Sequence, residues 1–128
     1  MPVLTKIKKK KILLADDNDL IRQLIGVTLG EDQYDLVHAT DGEEALRFAW
    51  EKRPDLVLLD VAMPGIDGFQ VCQALKSDPR TSRIVVLMLT AKGSDADRAM
   101  GDEVGADGYF SKPFSPIALL GRVHEILD

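Results

Sequence analysis

Three carboxylates and one ammonium stand directly behind aliphatic runs, at Ala15-Asp16-Asp17, Leu59-Asp60 and Ser111-Lys112-Pro113. Runs of this length, rich in Ile, Val and Leu, predict strands buried on both faces of a parallel sheet, so a charge at the carboxyl end marks the sheet rim. On an open α/β sheet that rim is where ligands bind. Carboxylates crowded together repel unless a cation sits among them, and the pattern therefore suits a divalent metal and a phosphoryl group. Asp60 is the best nucleophile candidate, because it alone ends a central aliphatic strand and is followed by a glycine-containing turn. Asp16 and Asp17 are the best metal ligands, since magnesium favours a few carboxylates completed by waters and phosphate oxygens. Each residue has a plainer alternative. An Asp-Asp pair can cap a helix, Asp60 can be a turn residue, Thr90 a capping hydroxyl, and one lysine a solvated charge. Capping does not explain why the acids and the ammonium share one rim.

Ten elements must position these groups, strand and helix alternating five times. Strands are predicted over 11–15, 34–39, 55–59, 84–89 and 108–110. Helices are predicted over 18–29, 42–52 (capped by Thr40 or Asp41), 67–76, 95–104 and 116–127. The helix over 95–104 is the weakest, because Gly101 interrupts it at a loss of about 1 kcal/mol. Strands separated by helices imply right-handed crossovers and a five-stranded parallel sheet covered on both faces, a doubly wound α/β sandwich.

The 128 residues suffice for one core, and 45% hydrophobic with 29% charged residues argues against a disordered chain. Five of the 16 lysines and arginines fall between Lys6 and Lys11, so the rest of the chain sets 11 against 21 acidic residues. Such an acidic body is unsuited to direct nucleic-acid binding. No apolar run approaches the roughly 18 residues of a membrane span. The organisation expected is a basic leader over 1–10 and one domain over 11–128. A lone Cys72, the absence of a signal-peptide pattern and the composition point to the cytoplasm. Cys72 and Trp50 are expected to be packing residues, and His38 and His124 match no phosphotransfer position.

From Lys11 onward the chain resembles a response-regulator receiver domain of two-component signalling, in the CheY-like superfamily. The likeness rests on Asp16-Asp17, on the block Leu59-Asp60-Val61-Ala62-Met63-Pro64-Gly65-Ile66-Asp67-Gly68, on Thr90-Ala91 and on Lys112-Pro113-Phe114, in that order. The resemblance implies the flavodoxin-like strand order 2-1-3-4-5. It also implies phosphorylation of Asp60, with Mg2+ held directly by Asp17, Asp60 and the carbonyl of Ala62, and by Asp16 through water. Thr90 and Lys112 would bind phosphoryl oxygens, the bond before Pro113 would be cis, and Tyr109 would be an aromatic that moves inward with Thr90 on phosphorylation. Without that movement Tyr109 reads as a half-buried strand aromatic with its hydroxyl at solvent. Ala62 and Lys92 depart from commoner family choices at positions that tune the lifetime of the aspartyl phosphate.

The function implied is a phosphorylation-dependent switch in a phosphorelay. A histidine kinase or histidine phosphotransfer protein donates to Asp60, and a downstream target or fused effector domain reads the altered surface. That surface is the face of the fourth helix, fifth strand and fifth helix, which is also the expected face of a homodimer. The chain would assist transfer to its own Asp60 and its hydrolysis without turning over an external substrate. An enzyme using Asp60 on an external substrate would need a substrate-enclosing cap and a separate general acid. A flavodoxin-like cofactor carrier would need a Ser/Thr/Gly-rich phosphate loop where Asp16-Asp17-Asn18-Asp19 stands. An unphosphorylated interaction module is disfavoured by the full set of phosphorylation residues.

Overall fold

Aliphatic residues that show no alternation in sequence sort by strand periodicity into two cores, one on each face of a parallel sheet. A computed structural model describes residues 9–91 and 95–128. Five strands, β1 (Lys10–Ala15), β2 (Tyr34–Ala39), β3 (Leu56–Asp60), β4 (Val85–Ala91) and β5 (Gly108–Lys112), alternate with five helices, α1 (Asp19–Leu29), α2 (Gly42–Lys52), α3 (Gly68–Ser77), α4 (Asp95–Val104) and α5 (Pro116–Leu127). All strand pairs are parallel, in the order β2-β1-β3-β4-β5, the doubly wound arrangement expected.

Ile12 and Leu14 of β1 and Leu56 and Leu58 of β3 face Ile25 and Leu29 of α1 and Leu119 and Val123 of α5. Leu13, Ala15, Val57 and Leu59 point the other way, onto Ala45 and Ala49 of α2 and Val71, Cys72 and Leu75 of α3. Each fully buried leucine contributes roughly 1.5–3 kcal/mol, so burial on both faces concentrates hydrophobic stabilisation in the central strands. Cys72 is part of this core: its thiol faces the Val104 carbonyl at 3.6 Å, and burial pushes it up to about 11. Trp50 is not, being 40% exposed. The small Ala45 and Ala49 occupy the sheet-facing stripe of α2, which turns the next residue to the margin.

Helix starts are set by side-chain oxygens. Asn18 caps α1 through Leu20 and Ile21, Asp41 caps α2 through Glu44, Asp67 and Gln70 form a capping box on α3, and Ser115 caps α5 just before Pro116. Asn18 thus precedes its helix, and Asp41 rather than Thr40 is the α2 cap. Strand ends differ more from the sequence pattern. β1 starts at Lys10, β3 includes Asp60, and β4 and β5 extend to Ala91 and Lys112 through the pairs Thr90↔Ser111 and Ala91↔Lys112. The apolar runs end earlier, but ladder hydrogen bonds need no apolar side chain. Thr90 and Lys112 therefore stand on strands, not on loops.

Lys10 and Lys11 begin β1, so they lie at the sheet end opposite the rim; Lys9 reaches the Glu31 carbonyl and Lys11 the Lys52 carbonyl. Lys6, Lys8 and Lys92 lie outside the described residues. Among the described residues no helix is long and apolar enough to cross a membrane.

Candidate functional site

β1 and β3 are neighbours in register, Ala15 beside Leu59, so the residues that follow them emerge side by side. Asp16, Asp17 and Asp60 each offer one carboxylate oxygen, all within 4.8 Å of one another. Across β4, the Lys112 ammonium bridges two of them, 2.9 Å from Asp16 Oδ2 and 3.0 Å from Asp60 Oδ1. The structure thus gathers the four charged residues predicted to share a rim, and Thr90 lies on the strand between Asp60 and Lys112.

The three acids are not equivalent. Asp16 is 1% and Asp60 6% exposed, whereas Asp17 faces solvent. Asp16 is tied at four points. Its Oδ1 accepts from the Asn18 amide at 2.9 Å, its Oδ2 from Lys112, its carbonyl from Arg22 Nε at 2.9 Å, and its own amide donates to the Ala39 carbonyl at 3.1 Å. Arg22 also pairs with Asp19 and faces His38 Nδ1 at 3.4 Å, so one half-buried guanidinium fixes the loop that carries the acids. Sequence reasoning missed Arg22, for its position inside α1 four residues after the cap carries no signal of what lies across the loop. Beside it, burial and then the Arg22 charge lower the pKa of His38.

Burial raises Asp60 to about 6, against the Lys112 hydrogen bond that favours its charged form and with the charges of Asp16 and Asp17 adding to the rise. Lys112 is half-buried; burial opposes its charge, but its bonds to Asp16 and Asp60 outweigh that and raise it. Thr90 is buried, and its hydroxyl has the Phe110 carbonyl at 3.5 Å, a distance that leaves it weakly held. The Lys112–Pro113 bond is cis. Ala62 lies in the exposed turn two residues past Asp60. Gly68 closes that turn: its amide donates to the Val61 carbonyl at 2.9 Å, and a Cβ there would lie 2.2 Å from the Asp60 carbonyl oxygen.

An all-oxygen donor set with one exposed and two buried carboxylates, open on the solvent side through Asp17, fits a hard cation such as Mg2+ that retains several waters. A cation held there would add its positive charge to that of Lys112 near Asp60, and such charge favours phosphoryl transfer to a carboxylate.

Tyr109 is half-buried against α4. Its hydroxyl lies at solvent, as expected, and has two acceptors in reach there, the Arg98 carbonyl at 3.0 Å and the Asp102 carboxylate. His124, to which the sequence assigned no role, joins the buried Tyr34 hydroxyl at 3.1 Å and the Asp128 carboxylate, linking the end of α5 to the start of β2.

Residues 12–124 match the family model described as the response regulator receiver domain. The chain is 45% identical over 118 residues to the alkaline phosphatase synthesis transcriptional regulatory protein PhoP of Bacillus subtilis, covering 92% of this chain and 48% of that protein. It is 43% identical to the DNA-binding dual master transcriptional regulator RpaA of Synechocystis, covering 91% of this chain and 48% of that one. It therefore spans about half the length of the curated relatives it matches. Among solved structures it is similar to the chemotaxis response regulator CheY4 of Vibrio cholerae, with TM-score 0.86, 36% identity, and 94% of this chain and 100% of that one covered. It also resembles a response regulator of Chloroflexus aurantiacus, with TM-score 0.88, 38% identity, and 94% and 98% covered.

Proposed function

Because this chain belongs to the response regulator receiver family, we propose that it is a cytoplasmic phosphorylation switch whose receiver unit, residues 11–128, takes a phosphoryl group on Asp60. The donor is a phosphohistidine on a histidine kinase or histidine phosphotransfer protein. A carboxylate oxygen of Asp60 forms the new P–O bond as the donor's P–N bond breaks, and the imidazole leaves with its proton balance restored from solvent. The observation that carries this reading is the Lys112 ammonium between Asp16 and Asp60, 2.9 and 3.0 Å away, with Asp17 open beside them.

Mg2+ would be held by Asp17, Asp60 and the Ala62 carbonyl, with Asp16 acting through water, and when bound it supplies charge neutralisation for the transferring group. The exposure of Asp17 and the full engagement of Asp16 support that division of labour. Lys112 gives up one carboxylate contact to pair with a phosphoryl oxygen as a point charge, and the weakly held Thr90 hydroxyl turns to another. Movement of Thr90 draws Tyr109 inward, and the face of α4, β5 and α5 becomes the surface that a target, a fused effector domain or a second copy reads. The relatives that extend to twice this length are named as transcriptional regulators, which supports a fused effector as the output.

On the donor side, α1 starts at the rim and exposes Leu20, Leu24 and Val27 at positions i, i+4 and i+7, one stripe that a donor's helix can cover. Intact-mass analysis after exposure to acetyl phosphate with Mg2+ tests the reading. Wild type gains one phosphoryl group and Asp60→Asn gains none; a phosphorylated Asp60→Asn protein would place the acceptor elsewhere.

A further inference from the structure

Helix α4 is shaped around the ring of Tyr109. A Cβ on Gly101 would lie 2.5 Å from Tyr109 Cε1, 3.0 Å from its hydroxyl oxygen and 3.2 Å from Cζ, so the ring fills the volume that any other side chain at 101 would take. At the ring's tip, the hydroxyl has the Asp102 carboxylate and the Arg98 carbonyl in reach as acceptors for its single proton, and the Arg98 guanidinium carbon stands 5.6 Å from the ring centroid.

Neither Gly101 nor Asp102 suits the helix that carries it. An interior glycine weakens a helix relative to alanine, and an acid in the last turn opposes the helix dipole. Both unfavourable choices meet at one side chain. Residues that break local rules and converge on a moving group mark a functional constraint.

We propose that Gly101 and Asp102 form a latch that holds Tyr109 on the α4 side, and that the strength of this latch sets how readily the Asp60 site switches the protein. The inference rests on the reading that a phosphoryl group on Asp60 draws the ring inward. An inward ring must leave its glycine floor and release the Asp102 carboxylate. Coupling is reciprocal, so whatever weakens the latch tightens binding of a phosphoryl mimic at Asp60 by the same factor. Asp102 and Gly101 are positioning residues, acting on the site only through Tyr109.

The test combines NMR of the tyrosine-labelled protein with titration of beryllofluoride in the presence of Mg2+. In wild type, contacts between the Tyr109 ring and the Gly101 α-protons are present and vanish on saturation with the mimic. Asp102→Ala weakens those contacts before any mimic is added and binds the mimic roughly three- to ten-fold more tightly, the gain being limited by exposure of the bond. Gly101→Ala acts in the same direction by steric exclusion, in a helix that alanine favours. In a Tyr109→Phe background, Asp102→Ala has no further effect, which separates the latch from a general loss of negative charge. Equal mimic affinity in wild type and Asp102→Ala, or an Asp102→Ala effect that survives in Tyr109→Phe, overturns the latch alone. A wild-type protein that binds no mimic overturns the Asp60 reading and the coupling together.

Discussion

Lys112 Nζ lies 3.0 Å from Asp60 Oδ1 although the two residues belong to β5 and β3, strands held apart by β4. The long lysine stem spans the intervening strand, so the ammonium acts as a resident cation for two buried carboxylates. Lys112→Ala leaves Asp16 and Asp60 buried together without it. In metal-free buffer at neutral pH the variant should lose about 1–3 kcal/mol, less than the loss typical of a fully buried pair because Lys112 is partly exposed. Mg2+ should restore more stability to this variant than to wild type, since a divalent ion replaces the missing charge. Thermal unfolding in EDTA and in Mg2+ checks both, and an equal Mg2+ effect on the two proteins would contradict the role given to Lys112.

The raised Asp60 makes metal-free stability depend on pH in a defined window. Its folded value, about 6, lies above the ordinary carboxylate value of 3.8, so the folded state binds more protons between them. Stability from this group is therefore fully present below about pH 4 and is lost as pH rises through about 6. The shift corresponds to roughly 1–3 kcal/mol. Asp60→Asn carries no proton to lose, so its advantage over wild type should grow across this window and level off above it. Denaturant unfolding at pH 4, 5, 6 and 7 measures the difference; a constant gap would mean that Asp60 titrates as an ordinary carboxyl group.

Asp16 and Asp17, adjacent in sequence, should separate stability from metal affinity. Asp16→Ala removes acceptors for the Asn18 amide and for Lys112 and should destabilise the protein by about 1–3 kcal/mol. Asp17→Ala removes an exposed charge from an acidic cluster and should leave stability unchanged or slightly raised. Its Mg2+ affinity should fall at least ten-fold. Calorimetric Mg2+ titration beside unfolding curves resolves the two, and the reverse pattern would exchange the roles of the two acids.

The sheet was legible because its strands are aliphatic on both faces and its helices carry caps and breakers in sequence. The rim was legible because charges directly behind apolar runs can only emerge at strand ends. Thr90 and Lys112 were placed past their strands, since a hydrophobic run ends where side chains turn polar while the backbone ladder continues to Ala91 and Lys112. Trp50 was expected to pack on the second helix, but Ala45 and Ala49 take the sheet-facing stripe of α2 and leave it 40% exposed. Arg22 and Asp102 had no readable signal, for each acts on a residue that is distant in sequence or lies across a loop. The seat of Tyr109 was half visible: Gly101 registered as a weak point of α4, but only the structure shows what fills the space it leaves.

Gly68 offers a test in which local and tertiary effects have opposite signs. It is the first residue of α3, where alanine in place of glycine ordinarily helps a helix by up to about 1 kcal/mol. Here a Cβ would meet the Asp60 carbonyl oxygen at 2.2 Å, the Val61 Cα at 2.9 Å and the Asp60 carbonyl carbon at 3.0 Å, all of them backbone atoms. Backbone on a central strand cannot step aside as a flexible side chain would, so the substitution should push α3 away or twist the end of β3. Gly68→Ala should therefore destabilise by about 1–3 kcal/mol, the range of overpacked cores. It should also slow phosphorylation from acetyl phosphate more than ten-fold, because the displaced atoms carry the Asp60 carboxylate and an error near 1 Å in a reacting group is enough for such a loss. Unfolding midpoints together with intact-mass time courses give both numbers. A Gly68→Ala protein as stable and as quickly phosphorylated as wild type would show that the β3–α3 turn yields freely, and that the position of Asp60 is set by Lys112 and Asp16 alone.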